Sequence, residues 1–433
     1  MTAWVLFGTF LVLMAAGVPI GLALGLGGTL AIMLANSEAQ WFGALAAPQN
    51  FTASIAKYPL LALPMFVLVG AVFDRSGVAR RMVDFAIAVV GRGPGMLPVV
   101  AILVAMVLGG ISGSGPANAA AVGGVMIAAM ARAGYPPGFS ATVVGSAAAT
   151  DVLIPPSIAF VVYSVMVPGA SVPALFAAGM FPGILAGLAL LVPAVLVSRA
   201  HGFGAAERAL PRPPFWKSLR EASWGLAAPV LILGGMRVGW FTPTEAAVVA
   251  AVYGLFVGMV VHRSIGFADL WSIFLEAAET SAVIMIILGL AGIFAYSLNT
   301  LGLADPIAEW FARHSGLGSL GTLALVLVVV KLAGMFLDGV SIFLIFVPLL
   351  QPLMRAFGWD PVWFGVLLTM VVALGQFTPP MAVNLMVACR MAGVSIEQTV
   401  RWVAWFFASF ALAIALVFWL PSIALWLPAR LGY

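Results

Sequence analysis

The chain has 433 residues, of which 63% are hydrophobic and only 8% charged, and its net charge is +4. A soluble domain carries roughly a quarter charged residues, so composition excludes a soluble enzyme or nucleic-acid binder and implies a polytopic membrane protein. The single cysteine, Cys389, excludes an intrachain disulfide and a cysteine metal cluster, and His201, His262 and His314 are too scattered to suggest haem or a metal centre.

Apolar runs of about 20 residues, enough to cross a bilayer core of roughly 30 Å, recur from end to end. Segment 1–54 has no basic residue, the first being Lys57. Lacking the charged start of a cleaved signal peptide, it is expected to be retained as an arm and one bent or two short spans. Loop 74–94 carries Arg75, Arg80, Arg81 and Arg92, which places it on the cytoplasmic side. About 40 residues then lead back to Arg132. A re-entrant hairpin over about 95–131, turning at "SGSGP" (112–116), fits both that length and those charges.

A span over about 138–168 follows, interrupted by "TDVLIPP" (150–156). Paired prolines remove two backbone donors and clash with the preceding turn, so the span is predicted to break into two half-helices. These elements define a unit over 55–200. Residues 201–265 read as a basic cytoplasmic loop and two connecting helices. Within them "TPTE" (242–245) predicts a capping box closed by Glu245. "ADLWSIFLEAAET" (268–280) predicts an interfacial arm helix over 266–280. The last unit, 281–433, holds a hairpin over about 320–354 and a span over about 362–392, broken at "GQFTPP" (375–380).

The two units are copies. "YPPGF" (135–139) and "WDPVW" (359–363) lie 224 residues apart, and so do "LIPPS" (153–157) and "FTPPM" (377–381), and "VPGAS" (167–171) and "MAGVS" (391–395). Loop 298–318, the mate of the basic loop 74–94, has Asp305, Glu309 and only Arg313, so it reads as external. Arg390 and Arg401 follow the second broken span, whereas the first copy has no charge there. The copies are therefore inserted upside down relative to each other. The predicted fold is an all-α polytopic membrane protein with two inverted repeats, each a re-entrant hairpin plus a broken helix, an arrangement typical of secondary transporters. Irregular backbone at membrane depth is tolerated where it is buried in protein or lines a water-filled cavity, so the turns and breaks are expected to gather at a site.

The stretches "FDRSGVARRMVDFA" (73–86), "SGSGPANAAAVGGVMIAAM" (112–130), "LIPPSIAF" (153–160), "FTPTEAAVVA" (241–250), "MFLDGVSIFLIFVPLL" (335–350) and "QFTPPMAVNLMVA" (376–388) together resemble the large membrane subunit of the tripartite ATP-independent periplasmic (TRAP) transporters. The resemblance spans nearly the whole chain. It implies a non-enzymatic, elevator-type transporter in the bacterial inner membrane that takes up a small organic acid, usually a carboxylate. Sodium is the implied coupling ion, with no other cofactor. The implied partners are a small four-helix membrane subunit and a periplasmic substrate-binding protein, with no role for nucleic acid. A stand-alone sodium/dicarboxylate symporter of the same superfold is the alternative, distinguished by needing neither partner. Asp151 is a departure, since family members often carry glycine there.

A hard cation prefers oxygen ligands. In the first repeat Ser112, Ser114 and Asn118, with the backbone of Gly113 and Pro155, are candidate sodium ligands, although small residues there also suit close helix packing. In the second repeat the candidates are Thr378 and the backbone of Gly334, Gly375 and Met381. Asp151, Pro156, Ser157, Pro380 and Asn384 are candidate substrate contacts, Asn384 with bracing of the half-helix as its other reading. Asp338, the repeat mate of Ser114, reads as a cap for the second arm of its hairpin. Lys331, two turns earlier, either snorkels or pairs with Asp338.

Overall fold

The computed structural model describes residues 2–433 apart from 36–39, 92, 210–211, 304–305, 307–308, 310–315, 317 and 338. Among the described residues there are nineteen α-helices and no strand. Six helical stretches are long and apolar enough to cross a membrane. Three helices open the chain, α1 (Thr2–Ala15), α2 (Ile20–Ala35) and α3 (Gln40–Ile55). Segment 1–54 thus falls in three helices, with Pro19 between α1 and α2.

Repeat one begins with α4 (Ala62–Arg75) and the amphipathic α5 (Val78–Val90). The first hairpin follows as α6 (Met96–Ser112) and α7 (Gly115–Arg132). Gly113 makes its turn at φ +62°, a left-handed conformation that glycine adopts without strain, and Pro116 starts α7 where its missing N–H costs nothing. The first broken helix is α8 (Pro137–Ala148) and α9 (Ile158–Met166), followed by α10 (Val172–Ala200). The prolines at 155 and 156 fall in the gap, and Ser157 restarts the chain as the N-cap of α9, accepting from the Phe160 N–H. The connectors are α11 (Phe215–Val238) and α12 (Pro243–Phe256). Thr242 and Glu245 close a capping box at the start of α12.

Repeat two begins with α13 (Phe267–Thr300), a single helix of 34 residues. The expected separate arm over 266–280 is therefore corrected: those residues form the first turns of α13, which lacks any glycine or proline near residue 280 to end it. The second hairpin is α14 (Gly318–Gly334) and α15 (Gly339–Phe357), and the second broken helix is α16 (Pro361–Gln376) and α17 (Val383–Ala392). Asp360 caps α16 by accepting from the Val362 and Trp363 N–H groups, both at 2.9 Å. Helices α18 (Val400–Trp419) and α19 (Ser422–Leu431) complete the chain.

The hairpins and broken helices of the two repeats interlock into one block. Helix α17 packs on α7 and α8, and α15 and α16 pack on α9. The Tyr163 ring fills the space beside Gly365, where a Cβ would stand 2.5 Å from its Cε1, and its hydroxyl donates to the Pro361 carbonyl at 2.8 Å. A Cβ on Gly145 would lie 2.9 Å from the Leu385 Cα. Helices α4 and α13 pack together beside this block, and α2 and α3 back α13.

Candidate functional site

A cavity of about 240 Å³ lies where α4 and α13 meet the block. The first hairpin turn (Gly113–Pro116) and the start of α15 (Gly339, Val340) both reach it, joined by Val152 and Gln376 from the two breaks. Three helices present their first residues here: α7 with Gly115–Ala117, α9 with Ile158 and Ala159, and α15 with Gly339 and Val340. The N-terminal end of a helix carries about half a positive charge, which favours an anion. Asp74 of α4 and Glu276 and Thr280 of α13 supply the wall outside the block, and among the described residues neither lysine nor arginine lines the cavity. Glu276 is held by Arg75 at 2.7 Å, and Arg75 also donates to Ser272.

The first group of predicted sodium residues is brought together. Ser112 Oγ is buried without a hydrogen-bond partner, and so is Asn118 Oδ1, while the other end of that amide donates to the Ala105 carbonyl at 2.9 Å. Ser114 lines the cavity in an extended conformation, its hydroxyl making no cap. Gly113 sits over the first break, where a Cβ would lie 3.4 Å from the Pro156 carbonyl oxygen, and a Cβ on Gly110 would lie 3.0 Å from that of Pro155.

In the second repeat Gly334 and Gly375 meet backbone to backbone. Thr378 donates from its N–H to the Gly375 carbonyl at 3.0 Å and from its hydroxyl to that of Leu374. Met381 is exposed, and the Ala382 N–H after it donates to the Met335 carbonyl at 3.2 Å, tying break to hairpin. Ala382 adopts φ +48°, a left-handed conformation uncommon outside glycine.

The predicted substrate contacts do not line the cavity. Asp151, Pro156, Ser157 and Asn384 are buried behind it, and Pro380 is exposed elsewhere. Ser157 is committed to local structure, donating to the Val152 carbonyl at 2.6 Å besides capping α9. Asn384 braces, donating to Gln376 Oε1 at 3.1 Å with its own Oδ1 unpaired. Lys331 Nζ lies 3.2 Å from Met335 Sδ and 5.1 Å from the centre of the Phe407 ring, while Asp338, the other half of the suggested pair, lies outside the described residues. Gln376, Asp74, Glu276 and Thr280 are cavity residues that sequence reasoning missed. Asp74 stood within a recognised stretch, and Glu276 and Thr280 lie one turn apart, a spacing that shares a helix face.

Residues 7–423 match the family model described as the DctM component of the tripartite ATP-independent periplasmic transporter. The chain is 38% identical over 410 residues to the C4-dicarboxylate TRAP transporter large permease protein DctM of Pseudomonas aeruginosa, covering 95% of this chain and 94% of that protein. It is 34% identical over 422 residues to the sialic acid TRAP transporter large permease protein SiaM of Vibrio cholerae, covering 97% of each. The Alcanivorax borkumensis YdaH transporter shares its fold at a TM-score of 0.61 and 12% identity, over 92% of this chain and 90% of that one. The DctM and SiaM relatives are named as transporter permease proteins, integral to the membrane, and not as enzymes. The chain belongs to the DctM family, the large permease subunits of TRAP transporters.

Proposed function

We propose that this subunit imports a small organic acid, coupled to sodium, after a periplasmic binding protein delivers it, and that a small membrane subunit completes the transporter. The observation that carries this reading is the convergence of three helix N-termini on a cavity that has no basic side chain among the described residues. Such a cavity holds an anion by backbone dipoles and gains from cations bound nearby. Its 240 Å³ falls below the roughly 300–1,000 Å³ of pockets for drug-sized ligands, which suits a small acid. Relatives are named for C4-dicarboxylates, sialic acid and 2,3-diketo-L-gulonate, all organic acids.

The two hairpin–break junctions are the sodium half-sites of this reading. The unpaired Ser112 and Asn118 oxygens favour the first, and the Thr378 hydroxyl and crowded glycine carbonyls favour the second. The cavity lies beside Arg75, at the end of α4 that enters the arginine-rich loop, so it opens toward the cytoplasm. Transport then requires the interlocked block to move against α4 and α13 in an elevator motion.

The test is uptake of radiolabelled dicarboxylates and sialic acid into proteoliposomes under an inward sodium gradient. The complete set of chain, small subunit and loaded binding protein is expected to accumulate substrate, and the chain alone is not. Robust uptake by the lone chain would replace the tripartite reading with a stand-alone symporter. Unchanged uptake by the complete set in potassium-only buffer would remove sodium.

A further inference from the structure

A second cavity, of about 250 Å³, lies between the block and its supporting helices at the other end of α13. Helices α3 and α13 wall it on one side, and the end of α9 (Val165, Met166) and residues 344–351 of α15 on the other. The apolar stretch that includes α4 runs from Tyr58 to Arg75 at the cytoplasmic loop, so Lys57, just before it, is external. On α13, Asn299 lies about 34 Å beyond Glu276 at 1.5 Å per residue, which exceeds the roughly 30 Å of a bilayer core. The two cavities therefore sit at opposite ends of one interface. A single stripe of α13, stepping by three or four residues, lines both: Thr280 and Ile284 the inner one, Leu288, Ala291, Ala295 and Asn299 the outer one.

The outer cavity is polar and of the opposite charge. Asn50, Ser54, Lys57, Tyr296, Asn299 and Gln351 line it, and among the described residues no acid does. The inner cavity has Asp74 and Glu276 and, among the described residues, no basic side chain. Gly292 lets α3 close on α13, since a Cβ there would collide with the Ser54 hydroxyl. That brings Asn50 and Ser54, four residues apart on one face of α3, against the end of α13.

Lys57 is exposed, and its Nζ donates to the Val165 carbonyl at 2.8 Å. The Gln351 amide meets the next carbonyl, that of Met166, at 3.5 Å. A lysine at the end of a helix has a sufficient local role in capping its carbonyls. That role accounts for the bond and leaves unexplained a cavity lined by five other polar side chains. A neutral carbonyl is also the weaker partner, because hydrogen bonds between two ionised groups are shorter and stronger. The ammonium has three donors, so a carboxylate entering the cavity meets a cation already held in place.

We propose that this outer cavity is a receiving site for the carboxylate of the incoming acid, with Lys57 as the group that holds it before the block takes it up. Ser54, Tyr296 and Asn299 supply hydroxyl and amide donors around it. Lys57 belongs to the supporting side and Val165 to the block, so a carboxylate that draws Lys57 away also loosens a bond across the sliding interface. The acid then moves along the α13 stripe from a cationic end to an acidic one, which favours its release inside. This rests on the import of an organic acid proposed above and adds where the acid is first held.

Two measurements test it. In proteoliposomes holding the complete set, uptake is followed against the concentration of loaded binding protein. Lys57→Gln is expected to raise KM about tenfold, the worth of one charged hydrogen bond, with a smaller change in kcat, and Lys57→Arg to restore most of the loss. In the full chain alone, a cysteine replaces Asn299 at the cavity rim after Cys389→Ser. Its reaction with sulfonatoethyl methanethiosulfonate from outside is expected to slow severalfold in succinate or sialic acid, not in succinamide, and not when Lys57→Gln is added. Protection by neither acid would overturn the site. A raised KM without protection would mean that Lys57 serves docking of the binding protein, and would overturn it too. A fall in kcat or melting temperature at unchanged KM would reduce Lys57 to a cap of α9. No accumulation by the complete parent set would remove the import reading, and the protection assay, which uses the chain alone, still decides the site.

Discussion

The backbone of Gly375 rests directly on that of Gly334: a Cβ added to Gly375 would stand 2.6 Å from the Gly334 carbonyl carbon. The obstacle is main chain, so no side-chain rotation relieves it. Gly375→Ala is expected to push the second hairpin off its break, at a cost of about 1–3 kcal/mol, and to abolish sodium-activated uptake. Gly124→Ala is the contrast, because a Cβ there meets only the Met391 Cε at 3.6 Å. It is expected to leave uptake intact and stability equal or slightly higher. Thermal melting in detergent and initial uptake rates compare the two.

Thr378→Val keeps shape and removes one oxygen from the second half-site, and Ser114→Ala does the same at the first hairpin turn. Initial uptake against sodium concentration is expected to be sigmoidal in the parent and displaced to higher sodium in both variants, with melting temperature little changed. Unshifted curves would remove these hydroxyls from the ion path.

Arg132 ends α7, and its mate at the 224-residue offset, Ala356, lies near the end of α15; both are exposed. Inverted insertion requires these equivalent helix ends to face opposite sides of the membrane. Single cysteines at 132 and 356, made after replacing the buried Cys389 by serine, are expected to react with impermeant maleimide from the inside and the outside respectively. Labelling from one side would end the inverted arrangement.

Glu207, in the loop after α10, anchors the entry to the first hairpin. Its carboxylate accepts from the Gly93 N–H at 3.2 Å, the Leu97 N–H at 3.3 Å and the Tyr135 hydroxyl. Burial pushes this carboxyl above its ordinary value, opposed by those hydrogen bonds. A raised folded-state value means the native chain holds the proton where the unfolded chain has lost it. The contribution to stability is then full below the unfolded value of roughly 4.3 and is lost as pH rises through the folded one. Melting temperature is expected to fall across that window in the parent and to fall less in Glu207→Gln.

The hairpin turns and helix breaks were legible because glycine and proline act locally: Gly113 and the prolines at 155, 156, 379 and 380 force an interruption whatever surrounds them. The inverted order is read from charge, since Arg75, Arg80 and Arg81 have an acidic counterpart in loop 298–318. The cavity wall was not. Helix α13 is apolar nearly all round, so no periodicity says which face turns inward, and Glu276 and Thr280 read equally well as interfacial. Gln376 pairs with Val152 in the repeat, so self-comparison hid it. The Asn384 amide N–H and the Ser157 hydroxyl look available in sequence and are taken up by Gln376 and the α9 cap once the chain folds.

The packing of α8 on α17 imposes an order on synthesis. Gly145 takes its place against Leu385, a residue made 240 positions later, which is a wait of roughly 10–50 s at ordinary ribosomal speed. During that interval the first hairpin and its broken helix sit in the bilayer without Asn384 and Leu385, which pack on Gly115 and Gly145. A half-made chain is therefore the vulnerable species, exposed to quality-control proteases before its second copy arrives. Truncations after residue 200 should be degraded rather than accumulate as stable half-transporters.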